Sequence, residues 1–254
     1  MITRNFVILW VALGIPICVT PLELNGKTAL VTGGSRGIGF GIARDLLSNG
    51  VRGVTLVNVN INKGQNAAKL LNEEFGYGKA IFIPADVSDG DQLESAFKIS
   101  ARHWNGLNFV INNAGVGNEK NWKSAIDINI VGTLQGTLLG IKYMSKNRGG
   151  QGGVVINISS TLAIEPVFNG PVYSATKSFI NALGRSLGHQ VYYNYNQVGI
   201  ITICPGLTNT ELKDSLQQGV SEMLHPNLVD EAPKYNPPHF STRKNHNAVP
   251  LQEN

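Results

Sequence analysis

Residues 28–39, Thr28-Ala29-Leu30-Val31-Thr32-Gly33-Gly34-Ser35-Arg36-Gly37-Ile38-Gly39, decide the fold. The first five are apolar or β-branched and fit a short buried strand. Glycines then interrupt regular structure, and an apolar-periodic stretch from Ile38 to Leu47 fits a helix. Between a strand and a helix, each glycine has a physical task. Gly33 permits the sharp turn, Gly37 lets backbone approach a pyrophosphate, and Gly39 lets the helix pack closely on the sheet. The N–H groups and positive dipole end of that helix favour phosphate. Ser35, Arg36 and Ile38 lie in the same loop and join the three glycines as candidate cofactor contacts.

Downstream the same alternation continues. Strand signals fall at Val54–Val59, Ala80–Ile83, Phe109–Ile111, Val154–Ile158 and Val198–Ile203. Helix signals fall at Lys63–Phe75, Asp91–His103, Ala125–Met144 and Val172–Tyr193, the last two as long single helices. Continuous apolar strands separated by helices of about 10 residues or more imply a parallel sheet covered on both faces. Right-handed crossovers make this an α/β, doubly wound, Rossmann-type sheet in a single domain over residues 23–213. Residues 214–254 are polar and rich in proline and fit a loop or disordered tail.

At the other end, Arg4 precedes an apolar run from Phe6 to Val19. The run is shorter than the roughly 20 residues of a spanning helix. It fits a secretory signal peptide, with Ala12-Leu13-Gly14 as cleavage site, or a membrane anchor through residues 6–19 if uncleaved. The bland alternative is an apolar extension over residues 1–22 that packs on the domain. A signal places the chain in the secretory pathway or endoplasmic reticulum; cytoplasmic placement is the alternative. Asn157-Ile158-Ser159 is a formal glycosylation sequon, but it falls on a buried strand and is expected to be unused.

Composition narrows the function classes. Hydrophobic residues at 42% and charged residues at 15% exclude a disordered chain. Two cysteines exclude a disulfide scaffold and a cysteine-based metal site, and the five histidines lack metal-binding spacing, so no metal is expected. The net charge of +4 comes from scattered residues, which argues against a nucleic-acid partner.

The end of the second strand bears on cofactor choice. An NAD site of this type carries Asp or Glu about 20 residues past the glycine turn, on the ribose hydroxyls. Here Asn58 stands in that place. Its amide can bond a hydroxyl but lacks the charge that rejects a 2′-phosphate, and Arg36 could meet that phosphate. On electrostatics alone NADP is therefore admissible beside NAD. Asp86, followed by Val87, is placed to contact adenine, or else to cap the next helix.

Tyr173 and Lys177 are spaced i and i+4 and share one helix face. An ammonium there would lower a phenol pKa toward neutral and suit it to move a proton to or from an alcohol. Ser160 follows the Val154–Ile158 strand, whose carboxyl end faces the ligand crevice, and could hold the substrate oxygen. Its neighbour Ser159 could cap the turn. Asn113, Ala114 and Gly115 end another strand at the same edge, where Asn and Gly also suit a plain turn. Asn129 lies inside a helix, where Asn is a poor former; it could hold a water or a backbone carbonyl.

Thr32-Gly33-x-x-x-Gly37-x-Gly39, Asn112-Asn113-Ala114-Gly115, Asn129, Ser160 and Tyr173-x-x-x-Lys177 together resemble the short-chain dehydrogenase/reductase family, over Leu24 to about Leu212. The resemblance implies oxidation of a secondary alcohol or reduction of a ketone with a nicotinamide cofactor. It makes Tyr173 the acid/base, with Lys177 tuning it and binding the nicotinamide ribose. Ser160 orients the reacting oxygen, Asn129 anchors a relay water, and Pro205, Gly206 and Thr208 flank the nicotinamide. It also implies a homodimer through the helices at 125–144 and 172–193. Asn112–Trp122, Gly140–Lys146, Gly149–Gly153 and Ile203–Thr210 are similar to a branch of the family that uses NAD on secondary alcohols. Gly170 stands where that branch carries a substrate-orienting Gln. Against the family's length, the C-terminal part is truncated or divergent, which would leave Val198–Ile203 as an exposed apolar edge. A shortened, non-catalytic form that binds cofactor or a full-length partner is the alternative reading.

Overall fold

The computed structural model describes residues 7–10, 16–19 and 23–206. Thr208, the 214–254 tail and most of the 1–22 extension lie outside the described residues. Within that extension, β1 (Val7–Trp10) and β2 (Pro16–Val19) pair antiparallel, with Val7 opposite Val19. Among the described residues, no helix is long and apolar enough to cross a membrane.

The remaining six strands form one parallel sheet. They are β3 (Thr28–Thr32), β4 (Gly53–Asn58), β5 (Ala80–Pro84), β6 (Phe109–Asn112), β7 (Gly153–Ile158) and β8 (Val198–Ile203). Their spatial order is β5-β4-β3-β6-β7-β8. The chain enters this sheet in the middle at β3, winds out to β5, then returns to β6 and winds the other way. That reversal between β3 and β6 opens a crevice at the carboxyl ends of the strands, where ligands bind in sheets of this type.

Strand periodicity divides the core in two. Ala29, Val31, Phe109 and Ile111 face one side, with Ala43 and Leu47 of α1 (Gly37–Ser48) and Ala67, Ala68 and Leu71 of α2 (Ile61–Phe75). Leu30 and Val110, at the intervening positions, face the other side. There they meet Leu93, Ala96 and Phe97 of α3 (Gly90–Trp104). Alternate residues pointing to opposite faces, both covered, explain the continuous apolar runs in the sequence.

Two expected long helices are interrupted. Ala125–Met144 is α4 (Trp122–Ile126), a π-helical stretch Asp127–Gly132, and α5 (Thr133–Met144). The apolar pattern runs through all three, so periodicity alone does not mark the wider turn. Val172–Tyr193 is α6 (Pro171–Leu187) and α7 (Gln190–Asn196). The break falls at Gly188 and His189, where His189 turns extended and its ring Nδ1 accepts from Val191 N at 3.3 Å as a new N-cap.

At the far side, β8 pairs with β7 alone among the described residues, and Ile201 and Ile203 are exposed.

Candidate active site

The glycine loop is shaped by its backbone and locked by its neighbours. Gly33 has φ +63° and Gly37 φ +53°, in the left-handed region that glycine enters without a Cβ clash. A Cβ on Gly39 would lie 2.5 Å from both Gly33 O and Asn113 Nδ2, so only hydrogen fits there. Arg36 takes the N-cap position of α1 in extended conformation without a side-chain capping bond, so it leaves the first-turn N–H groups uncapped.

The Asn112–Gly115 stretch clamps this loop. Asn113 Nδ2 donates to Thr32 O at 3.0 Å and to Gly33 O at 3.2 Å. Thr32 Oγ1 accepts from Asn113 N at 3.0 Å and Ala114 N at 3.1 Å. Asn113 and Ala114 thus fix the loop that they were expected to share with a cofactor. Gly115 leaves space between α6 and the π turn, since a Cβ there would lie 3.2 Å from Asn129 Oδ1 and 3.3 Å from Lys177 Nζ.

Asn58 ends β4 beside the same loop. Its Nδ2 donates to Ser35 Oγ, and its Oδ1 accepts from Asn60 N at 3.1 Å. Asp86 is not the helix cap. Asp89 is, accepting from Asp91 N and Gln92 N at 3.0 and 3.1 Å. Asp86 Oδ1 instead takes the N–H and hydroxyl of Ser88, at 2.9 and 2.6 Å. Val87 is buried against the π turn, where a Cβ on Gly132 would lie 2.8 Å from its Cγ2.

The hydroxyl groups gather at the carboxyl end of β7. Ser160 caps the short turn Thr161–Ala163, its Oγ accepting from Leu162 N at 3.2 Å. Ser159 has a different task from the turn cap expected of it: its Oγ donates to Lys177 O at 2.9 Å and ties α6 to the sheet. Thr161 N donates to Pro205 O at 2.9 Å, which seats Pro205 and Gly206 beside this turn. Asn157 of the sequon is fully buried and accepts from Asn112 Nδ2 at 2.9 Å.

Tyr173 and Lys177 are both buried on the inner face of α6. Lys177 Nζ lies 5.5 Å from the centre of the Tyr173 ring and donates to Ile158 O at 2.9 Å. The expected acidic phenol is not found in the protein alone. Burial pushes Tyr173 up to about 12, and the hydrogen bond with the Ser160 hydroxyl only partly opposes this. Burial also draws Lys177 down to about 8, with Cys204 acting the other way. Desolvation disfavours each charged form, and it outweighs the attraction expected between ammonium and phenolate.

Asn129 is fully buried in the π-helical stretch. Its Oδ1 accepts from Val116 N and its Nδ2 donates to Val116 O, both at 2.9 Å. The same Nδ2 donates to Thr176 Oγ1 at 3.0 Å. The side chain therefore holds backbone, the second of its two expected uses. Single π turns often occur at functional sites because they redirect a side chain or carbonyl.

One residue escapes the sequence reading. Glu119 is fully buried, and its two carboxylate oxygens accept from Val172 N at 2.9 Å and Tyr173 N at 2.8 Å. A helix cap supplied from a distant loop leaves no local sequence signal.

The short chain dehydrogenase family matches this chain over residues 27–221. Human 15-hydroxyprostaglandin dehydrogenase (NAD+) is 41% identical over 197 residues, 78% of this chain and 74% of the human one. Alcohol dehydrogenase 2 of Ceratitis capitata is 32% identical over 197 residues, 77% of this chain and 75% of that protein. A short chain dehydrogenase/reductase from Burkholderia phymatum, solved in complex with NAD, is similar with a TM-score of 0.71 at 22% identity, covering 78% of this chain and 71% of that one. The 3-ketoacyl-(acyl-carrier-protein) reductase of Brucella melitensis, complexed with NADH, gives 0.68 at 24% identity, over 76% and 80%. At these identities the two structures attest the fold.

Proposed function

The chain belongs to the short chain dehydrogenase family, and on that premise we propose that it is an NAD-dependent oxidoreductase interconverting a secondary alcohol and a ketone. The observation that carries this is the placement of Ser160, Tyr173 and Lys177 together at the carboxyl end of β7. The relatives named for NAD or alcohol oxidation support it from outside the geometry.

The residues present fit a nicotinamide dinucleotide. Gly33 and Gly37 hold a sharp loop through their positive φ, and the first turn of α1 offers N–H groups to phosphate. Gly33, Ser35, Arg36, Gly37, Ile38 and Gly39 would hold the pyrophosphate, and Asn58, Asp86 and Val87 the adenosine. Asn113, Ala114, Gly115, Pro205 and Gly206 would line the nicotinamide side, with Lys177 on its ribose. When bound, the oxidised cofactor would accept the hydride in oxidation, and the reduced cofactor would supply it in reduction. NAD is favoured by the relatives; the amide of Asn58, without a negative charge, leaves NADP possible.

The chain's own groups handle the proton. Ser160 and Tyr173 would receive the substrate oxygen between their hydroxyls. In reduction, the Tyr173 phenol gives its proton to the oxygen as negative charge develops there. In oxidation, the phenolate takes the alcohol proton. With a phenol held near 12, the protonated form predominates at neutral pH, so alcohol oxidation should speed up with rising pH. Asn129 keeps the wall at Val116 in place, and any relay water would sit beside it.

A second copy of the chain packed along α5 and α6 is part of the same proposal; Leu138 on α5 is exposed and available. The assembled hydroxyl set favours an active enzyme over a non-catalytic form. Purified full-length chain, assayed for reduced nicotinamide with hydroxyprostaglandins and simpler secondary alcohols and with both cofactors, tests the function. Turnover with NAD is expected. Nucleotide binding without turnover on any of them would favour the non-catalytic reading.

A further inference from the structure

Taking Tyr173 as the acid/base, which rests on the function proposed above, we infer that Glu119 is the positioning residue that sets where this tyrosine stands. The first N–H groups of any helix have no partner within it. At α6 the usual local remedy is missing: Gly170 occupies the N-cap and has no side chain to offer, and Pro171 follows it with no N–H. The donors that remain are Val172 N and Tyr173 N, and Glu119 takes one on each carboxylate oxygen. Both bonds are charge-assisted, and the negative group lies at the positive end of the helix.

Burying a carboxylate is expensive unless it is fully bonded. Ser at position 170 would cap the helix without burying a charge. What Glu119 adds is a link between two parts of the site. It lies in the loop between β6 and α4, and that loop is also fixed at Val116 by Asn129. Asn129 bonds Thr176, and Thr176 Oγ1 donates to Tyr173 O at 2.8 Å. The backbone of Tyr173 is therefore held at its N–H by Glu119 and at its carbonyl by Thr176. Both holds lead back to the same loop. A shift of the first turn of α6 would move the phenol relative to Ser160, whose own position is fixed by the turn after β7. Misplacement of a reacting group by about 1 Å can cost on the order of a hundredfold in rate.

The test uses the full chain with an alcohol that the wild type turns over. Glu119→Gln keeps the shape and one carbonyl acceptor, whereas Glu119→Ala removes both. We expect kcat to fall about tenfold in the first and about a hundredfold in the second, with KM for alcohol and nucleotide affinity changed by less than about threefold. The partial rescue by Gln and the split between kcat and KM set this apart from a structural role, which would lower the melting temperature and leave kcat of the folded fraction alone. Folded variants with unchanged kcat would overturn the inference, as would a loss confined to nucleotide affinity. If Glu119→Ala does not fold, the isosteric Gln variant decides. A wild type inactive on every alcohol would overturn the underlying reading of Tyr173 and this inference with it; active wild type with unaffected variants overturns the inference alone.

Discussion

Lys177 points its ammonium at the Ile158 carbonyl, 2.9 Å away, while the same nitrogen lies 5.5 Å from the centre of the Tyr173 ring. The last residue of β7 thus anchors the lysine, and the lysine stands over the tyrosine. Because both are buried, each is pushed toward its neutral form: Tyr173 to about 12 and Lys177 to about 8. The pair is electrostatically tense, and its titration is measurable.

Lys177 titrates at about 8 when folded against 10.5 as a free side chain. Between those values the unfolded chain holds a proton that the folded chain has released. The burial penalty is thus fully present below pH 8 and is relieved as pH rises toward 10.5. The stability of wild type relative to Lys177→Met should increase by about 2 kcal/mol between pH 7.5 and 9.5. Above pH 10 the raised Tyr173 lowers the stability of both proteins, because the unfolded phenol ionises first. Denaturant titrations of both proteins across this range check the slope; a flat difference contradicts the buried lysine.

Asn58 bonds Ser35 of the glycine loop through its amide N–H. Asn58→Asp keeps that contact, because Ser35 can donate to the carboxylate instead. It also adds a charge that repels a 2′-phosphate. The ratio of kcat/KM for NAD over NADP should rise by about tenfold or more, since one charge contact of this kind is worth at least about 1.4 kcal/mol. An unchanged ratio would mean that the ribose of the cofactor lies elsewhere.

Thr32 is buried, and its Oγ1 receives two backbone N–H groups, those of Asn113 and Ala114. Thr32→Val preserves the volume but orphans both donors. We expect a loss of about 1–3 kcal/mol in stability, seen as a lower denaturation midpoint, and weaker nucleotide binding because the glycine loop loses its clamp. Wild-type stability in the valine variant would show that the clamp carries no weight.

The sheet was legible because its central strands are buried on both sides and therefore unbroken in sequence, as at Thr28–Thr32 and Gly53–Asn58. The spacing of Tyr173 and Lys177 likewise survives in the structure, because i and i+4 meet on any α-helix. Three features did not show. The π turn at Asp127–Gly132 leaves the apolar pattern intact. The break at Gly188 depends on a histidine acting as a cap, which its identity does not announce. Glu119 works across more than fifty positions, on Val172 and Tyr173, so no local window contains both partners. The phenol's high pKa was also hidden. Sequence gives the charged neighbour, but desolvation is a property of the packed fold.

The most direct test is steady-state kinetics of Tyr173→Phe beside wild type, with nucleotide affinity measured separately on each. Phenylalanine keeps the ring and its packing and removes the hydroxyl. The account predicts a fall in kcat of about 10²–10⁴-fold, with nucleotide affinity within about twofold because the ring volume is kept. Turnover by the phenylalanine variant at the wild-type rate would contradict it.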